Sequence, residues 1–362
     1  MITTFPSSLR YRCIIEECEG CCHLFEEIEI WREEIKRLKG LGYSDFWEKR
    51  GKKYFLKRPC PFLEGKLCNI HITHGYREKF STCKKYPFVV VPLENGDIII
   101  DIKWSCPGVG CEKGERLTAD YIEEMLEDLD LERLERAPIK DVVYLSEAEG
   151  ISTEWKALVM LYDFIGELLL SSRSPGEAIA LLTSFVRYIA RTPKEQIMVQ
   201  KIPQVTDNFE PETKDELALQ IPFEALAFSE VFEAVKSNEE NIEEAAERLG
   251  LQAPPLDPVA LLDKDFSGDG GKVYALYLSQ SLKETLTRPW DLSTSYFWAM
   301  GVMGFADLLA RGFSEREVGY SEMRDSIRIV DYLNKGFGGF RDYMYPLYPE
   351  LGSRYLQFVL SF

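Results

Sequence analysis

The chain has 362 residues, 45% of them apolar and 28% charged, which is the balance of a folded protein with a sizeable core and excludes a disordered one. Its formal charge of -17 is uneven: the first 113 residues hold 19 Lys and Arg against 16 Asp and Glu, and the remainder 24 against 44. An acidic C-terminal part repels nucleic acid and anionic membrane, and it suits a basic protein partner while also serving solubility.

At this length two domains are expected, here 1–113 and 114–362. The opening residues, Met1 to Arg12, lack the basic start and apolar run of a secretion signal. The most apolar stretches, 158–170 and 296–309, are interrupted by Asp163, Glu167 and Asp307, and they fall short of the roughly 20 residues that a membrane span requires. A soluble, cytoplasmic protein is therefore expected.

In chain order, the first feature is Cys13-x4-Cys18-x2-Cys21-Cys22, a dense set of thiols on one irregular loop with Gly20 at its bend. Residues 26–40 follow as a charged helix with apolar positions at Ile28, Trp31, Ile35 and Leu38, ending near Gly40 and Gly42. Cys60, Cys68 and Cys83 come singly, with His71 and His74 beside Cys68 in surface or supporting roles. Residues 89–92 and 98–102 flank Glu94-Asn95-Gly96-Asp97, and Asn-Gly between apolar runs predicts a β-hairpin. Cys106 and Cys111 complete the nine cysteines, and none follows.

From Leu117 onward the pattern is helical. A first acidic helix runs through Tyr121, Met125, Leu129 and Leu134, and a second spans 155–170. Ser174-Pro175-Gly176-Glu177 reads as a capping box with proline at the first helical position, opening a helix through Ala190. Further helices are expected at 214–236, 239–249, 257–264, 272–287, 292–311, 314–335 and 339–361. Asp263 to Asp269 begins like a calcium-binding loop, but Tyr274 stands where the bidentate glutamate belongs, and a glycine-rich loop before a helix is the better reading. The same stretch is no phosphate-binding P-loop, since Phe266 occupies its first glycine position. The aromatics around Tyr296, Phe297, Trp298 and Phe305 read as helical core.

Nine thiols packed into 111 residues of a cytoplasmic chain point to metal ligation, not to disulfides. Thiolates are soft donors that select iron-sulfur clusters, zinc or cuprous ions and exclude calcium and magnesium. Zinc sites commonly mix cysteine and histidine at paired short spacings, and no second Cys-x2-Cys pair occurs here. Nearly all-cysteine ligation at loose spacing favours iron and sulfide, with zinc as the alternative. The fold class that follows is a small α+β cysteine-rich metal-binding module, made of a short helix, a hairpin and ligand loops, followed by a mainly α-helical domain.

Five elements occur in order: Cys18-Glu19-Gly20-Cys21-Cys22, Cys60-Pro61-Phe62-Leu63, Leu67-Cys68-Asn69-Ile70, Cys83-Lys84-Lys85-Tyr86-Pro87-Phe88 and Ser105-Cys106-Pro107-Gly108. Over about residues 10–113 this order resembles the YkgJ-type cysteine-cluster family of zinc- or iron-chelating proteins. The segment His71-Ile72-Thr73-His74-Gly75 is similar to the FliB branch, the flagellin lysine N-methylases, although Phe88 stands where that branch has arginine. The resemblance implies metal ligation by Cys13, Cys18, Cys21, Cys22, Cys60, Cys68, Cys83 and Cys106, with Cys111 as an extra. It implies one or two 4Fe-4S clusters and, for the FliB branch, methyl transfer from S-adenosylmethionine to a lysine-bearing or basic protein. In that case Cys13, Cys18 and Cys21 form the triplet of the cluster that takes the cofactor. Eight thiolates equally saturate two clusters with no open iron, which describes a non-catalytic electron carrier, or they hold zinc in an interaction protein.

Overall fold

The computed structural model describes residues 1–14, 20, 27–127, 129, 131–139, 142–146, 151–172, 174–193, 197–211, 239–254, 265–287, 292–314 and 317–336. The helices expected at 214–236, 257–264 and 339–361 lie outside these residues. What is described is a mixed α/β protein, with most of its small sheets in the first third and long helices after residue 154.

The expected hairpin forms. Phe88–Pro92 pairs antiparallel with Ile98–Ile102, Phe88 opposite Ile102 and Pro92 opposite Ile98. Its turn is closed by Leu93 N donating to Asp97 O at 2.8 Å and by Asp97 N donating to the Asn95 side chain at 2.9 Å. Ile2–Thr3 joins as a third strand, parallel to Ile99 and Ile100, a pairing between residues too distant in the chain for local patterning to announce.

This sheet packs against the later helices. Phe5, Leu9, Phe88, Ile99, Ile100 and Trp104 are buried in the same apolar cluster as residues of the helices Trp155–Leu169, Pro175–Arg191, Gly268–Glu284, Leu292–Phe313 and Tyr320–Gly336. A buried polar network stitches the two together. Gln280 donates from Nε2 to Asp101 Oδ1 and to Ile102 O, both at 2.7 Å, and accepts from Trp104 Nε1 at 2.6 Å. Thr4 donates to the same Asp101 oxygen, and Ser105 N donates to Asp331 at 3.0 Å.

A second, smaller cluster contains Ile28, Ile30, Ile35, Leu38, Phe46, Leu56, Phe62, Ile70 and Phe80 together with Cys60 and Cys83. Among the described residues the apolar interior therefore divides around residues 28–83, inside the first third of the chain.

The helix expected over 26–40 covers only Arg32–Gly40. Glu34 accepts from Trp31 N at 2.8 Å, the reciprocal half of a capping box, which sets the first turn after Trp31. Before it, Glu29–Ile30 is a strand on Tyr54 and Phe55, so Ile28 and Ile30 are buried by strand alternation and not by helical periodicity. Trp47–Arg50 and Lys53–Leu56 complete that three-stranded sheet.

In the later part, the first acidic helix is shorter than expected, Ala119–Glu127, with Leu131–Arg133 as a separate 3-10 turn. Ser174 caps Pro175–Arg191 as its sequence predicts, its hydroxyl accepting from Glu177 N at 3.2 Å. The stretch that begins like a calcium loop is a strand followed at once by a helix. Asp265–Phe266 pairs in parallel with Glu317–Val318, Ser267 caps, and the helix runs from Gly268, which leaves no room for a 12-residue loop. Glycine at 270 has a packing reason, since a Cβ there would lie 2.5 Å from Val318 O. No helix among the described residues is long and apolar enough to cross a membrane.

Candidate metal centre and the adjoining cleft

Of the expected ligands, Cys18, Cys21 and Cys22 lie outside the described residues, as does His23. Gly20 between them has φ of 95°, the left-handed backbone that suits a bend. None of the six described cysteines is joined to another of them by a disulfide.

These six fall into two sets. The first, Cys60, Cys68 and Cys83, surrounds the smaller apolar cluster, with Cys60 and Cys83 buried in it and Cys68 at its edge. Cys60 O accepts from Leu63 N at 3.2 Å and opens the short hairpin of Leu63–Glu64 and Leu67–Cys68, in which Cys68 lies opposite Leu63. Cys68 then precedes the helix Asn69–His74, whose Ile70 is buried in the same cluster. Phe46, Phe62 and Phe80 pack ring against ring beneath, with centroids 5.3–6.3 Å apart.

Cys83 sits in the short helix Ser81–Lys85, whose start is clamped from the neighbouring helix. Besides capping its own helix, the buried Glu34 carboxylate accepts from Ser81 N at 2.7 Å and from Ser81 Oγ at 3.0 Å. One carboxylate thus satisfies the amino ends of two helices at once. We expect Glu34→Ala to destabilise the chain by about 2 kcal/mol, with Glu34→Gln retaining part of the loss, since an amide oxygen still accepts. Urea denaturation followed by far-ultraviolet circular dichroism measures both, and equal stability for all three proteins would contradict the clamp.

The second set is Cys13, Cys106 and Cys111. The strand Arg10–Tyr11 runs between Glu115–Arg116 and the bridge at Val109, with Arg12 N donating to Gly108 O at 3.0 Å and Gly110 N to Arg10 O at 2.8 Å. This pairing lays Cys13, which is exposed, alongside the loop that carries the buried Cys106 and Cys111. Cys111, an extra by sequence, is as deeply buried as Cys106. A Cβ added at Gly114 would lie 2.9 Å from the Cys111 sulfur.

Donor chemistry suits a soft metal, being thiols not tied up with one another, several of them buried. Among the described residues, however, no three His, Cys, Asp or Glu side chains are arranged to hold a metal ion. A complete centre therefore requires at least one donor from beyond them, and Cys18, Cys21 and Cys22 are the expected ones.

His71 and His74 face a cleft of about 940 Å³ that also reaches Cys13. His74 Nε2 lies 3.1 Å from the Tyr43 hydroxyl, and the two rings meet edge on at 5.7 Å. Partial burial, with the nearby Lys79 charge adding to it, holds the His71 imidazole below its ordinary value. Phe88, noted for standing in place of an arginine, is buried at the cleft wall with its ring against Phe5, Tyr11 and Tyr121. Burial, with smaller contributions from Tyr76, Glu115, Glu124 and Cys13, pushes the Tyr121 hydroxyl up to about 12.

What sequence reading missed is the charge of this cleft. Arg12, Arg77, Lys79, Lys84 and Lys113 line it against Glu115 and Glu124. These cations are scattered over a hundred residues of a segment that is nearly neutral in total, so no local charge run signalled them. No family model, no curated protein and no solved structure matches the chain.

Proposed function

We propose that the chain is an iron-sulfur protein resembling FliB-type protein lysine N-methylases, with Cys13, Cys18, Cys21, Cys22, Cys60, Cys68, Cys83 and Cys106 as thiolate ligands of one or two 4Fe-4S clusters. The observation that carries this reading is the confinement of all nine cysteines to the first 111 residues, with none of the six described ones disulfide-linked to another. Support also comes from the buried positions of Cys60, Cys83 and Cys106, since an apolar shell controls solvent access to a metal site. When bound, a cluster supplies a redox-active iron centre. The chain's own residues supply the frame. Glu34 fixes the helix bearing Cys83, and the Arg10–Tyr11 strand holds Cys13 beside the loop of Cys106 and Cys111. In this reading S-adenosylmethionine is the methyl donor and a lysine on a basic protein the acceptor, drawn by the acidic helical part.

A second reading, a non-catalytic electron carrier or a zinc-stabilised interaction protein, is favoured by the sign of the cleft beside Cys13. Among the described residues its five cations outnumber Glu115 and Glu124, and that balance opposes both a lysine ammonium and a sulfonium. Metal analysis with electron paramagnetic resonance on protein purified without oxygen, followed by incubation with labelled S-adenosylmethionine and basic proteins, separates the two. The first reading expects iron with acid-labile sulfide, a spectral change on adding the cofactor, and label on lysine. Iron that reduces reversibly and ignores the cofactor, or zinc without iron, transfers the assignment to the second. Protein isolated without either metal, and unable to take one up, contradicts both.

A further inference from the structure

We infer that the cleft between the Cys68–Lys84 segment and the helix Ala119–Glu127 is a binding site for a multiply charged anion carrying a flat ring, of the nucleoside triphosphate class. At about 940 Å³ it is of small-molecule scale. Arg12, Arg77, Lys79, Lys84 and Lys113 come from three separate segments to line it, and none is in an ion pair among the described residues. Among the described residues, two carboxylates, Glu115 and Glu124, do not balance the five cations, and a concave wall concentrates the field that remains.

The backbone that carries Arg77, Lys79 and Lys84 is braced before any ligand arrives. The Arg37 guanidinium, reaching from the helix Arg32–Gly40, pairs with Glu78 and donates to Arg77 O at 3.4 Å and Lys79 O at 3.2 Å. The Tyr76 hydroxyl donates to Lys84 O at 2.6 Å, tying the two ends of the cationic segment together. Such preorganisation lowers the entropy lost on binding. The same walls offer rings. Tyr76 is 40% exposed with the Lys79 ammonium 5.4 Å from its centroid, and Tyr11 and Tyr121 line the same cleft. A bare inorganic anion would leave these rings unused, whereas a base stacked on a tyrosine with its phosphates on the lysines uses both.

This site does not rest on the metal reading: binding without iron or methyl transfer leaves it standing. The test is isothermal titration of the full chain with ATP, inorganic tripolyphosphate and adenosine at low and moderate salt. ATP is expected to bind with a dissociation constant below about 1 mM, weakening several-fold as salt is raised, with tripolyphosphate weaker and adenosine weakest. The double substitution Lys84→Glu with Lys113→Glu is expected to weaken ATP at least about tenfold, while reversal of the exposed Lys52, away from the cleft, leaves it within about twofold. Absence of ATP binding to the unaltered chain, adenosine binding as tightly as ATP, or a folded double variant that binds as well as the parent would each overturn the inference. Tripolyphosphate binding as tightly as ATP would remove the ring from it.

Discussion

Gln280→Leu is expected to destabilise the chain by about 3–5 kcal/mol, the range in which a buried polar network loses a partner and strands the others. Leucine is close to glutamine in size, so the change isolates the hydrogen bonds from the packing. It leaves the Trp104 indole N–H and the Ile102 carbonyl without the partner each has now, and it deprives Asp101 of its amide donor. Gln280 is fully buried and Asp101 nearly so, and water cannot substitute without opening the core. Because the network joins the hairpin and the N-terminal strand to the Gly268–Glu284 helix, its loss is expected to lower the stability of both at once, as a single cooperative transition at lower urea. Gln280→Glu distinguishes the hydrogen bond from mere polarity. Only a protonated carboxyl can donate to Asp101, so that variant should recover stability as pH falls and not as it rises. A leucine variant within about 0.5 kcal/mol of the parent would mean that the two parts are not joined through this residue.

The sequence disclosed those parts of the fold whose signals are local. Asn95-Gly96 between apolar runs gave the hairpin its place and nearly its ends, and Ser174 with Pro175 fixed the start of a 17-residue helix, because turn and cap chemistry act within four residues. The helix expected from residue 26 begins only at Arg32, for a related reason. Ile28 and Trp31 fit helical spacing with Ile35 and Leu38, but the capping contact of Glu34 on Trp31 and the partner strand at Tyr54 and Phe55 decide the matter, and the second of these is tertiary.

The site was legible by residue type and not by arrangement. Composition singled out the thiols, whereas their division between Cys60, Cys68 and Cys83 on one side and Cys13, Cys106 and Cys111 on the other depends on which apolar cluster each segment joins. Cys111 had no motif to mark it, and only the pairing of Arg10–Tyr11 across the loop brings it level with Cys106. The cationic cleft was hidden by averaging. Arg37, Glu34 and Glu78 neutralise or fix their neighbours, and the cations left over are assembled by folding alone.

That pairing carries the other large effect. At Gly108 an added Cβ would lie 1.9 Å from the Arg12 carbonyl oxygen and 2.9 Å from its carbon, far inside any contact that side chains make. The obstacle is backbone, which cannot rotate away as a flexible side-chain tip can. Gly108→Ala must therefore push apart the Arg10–Arg12 strand and the 106–111 loop, breaking the bonds from Arg12 N to Gly108 O and from Gly110 N to Arg10 O. We expect at least about 3 kcal/mol of destabilisation, the upper end of overpacking costs. A second readout is independent of global stability. Cys106 and Cys111 are 4% and 5% exposed, so in metal-free protein their reaction with a bulky thiol reagent should be slow, and the alanine variant should speed it markedly at temperatures where the chain is still folded. Gly40→Ala serves as the control, since nothing lies within 4 Å of a Cβ there and it ends a helix; it should be neutral or slightly stabilising. Unchanged stability and unchanged thiol protection in the Gly108 variant would show that the loop does not lie against Arg12. The second set of cysteines would then lose the strand that gathers it.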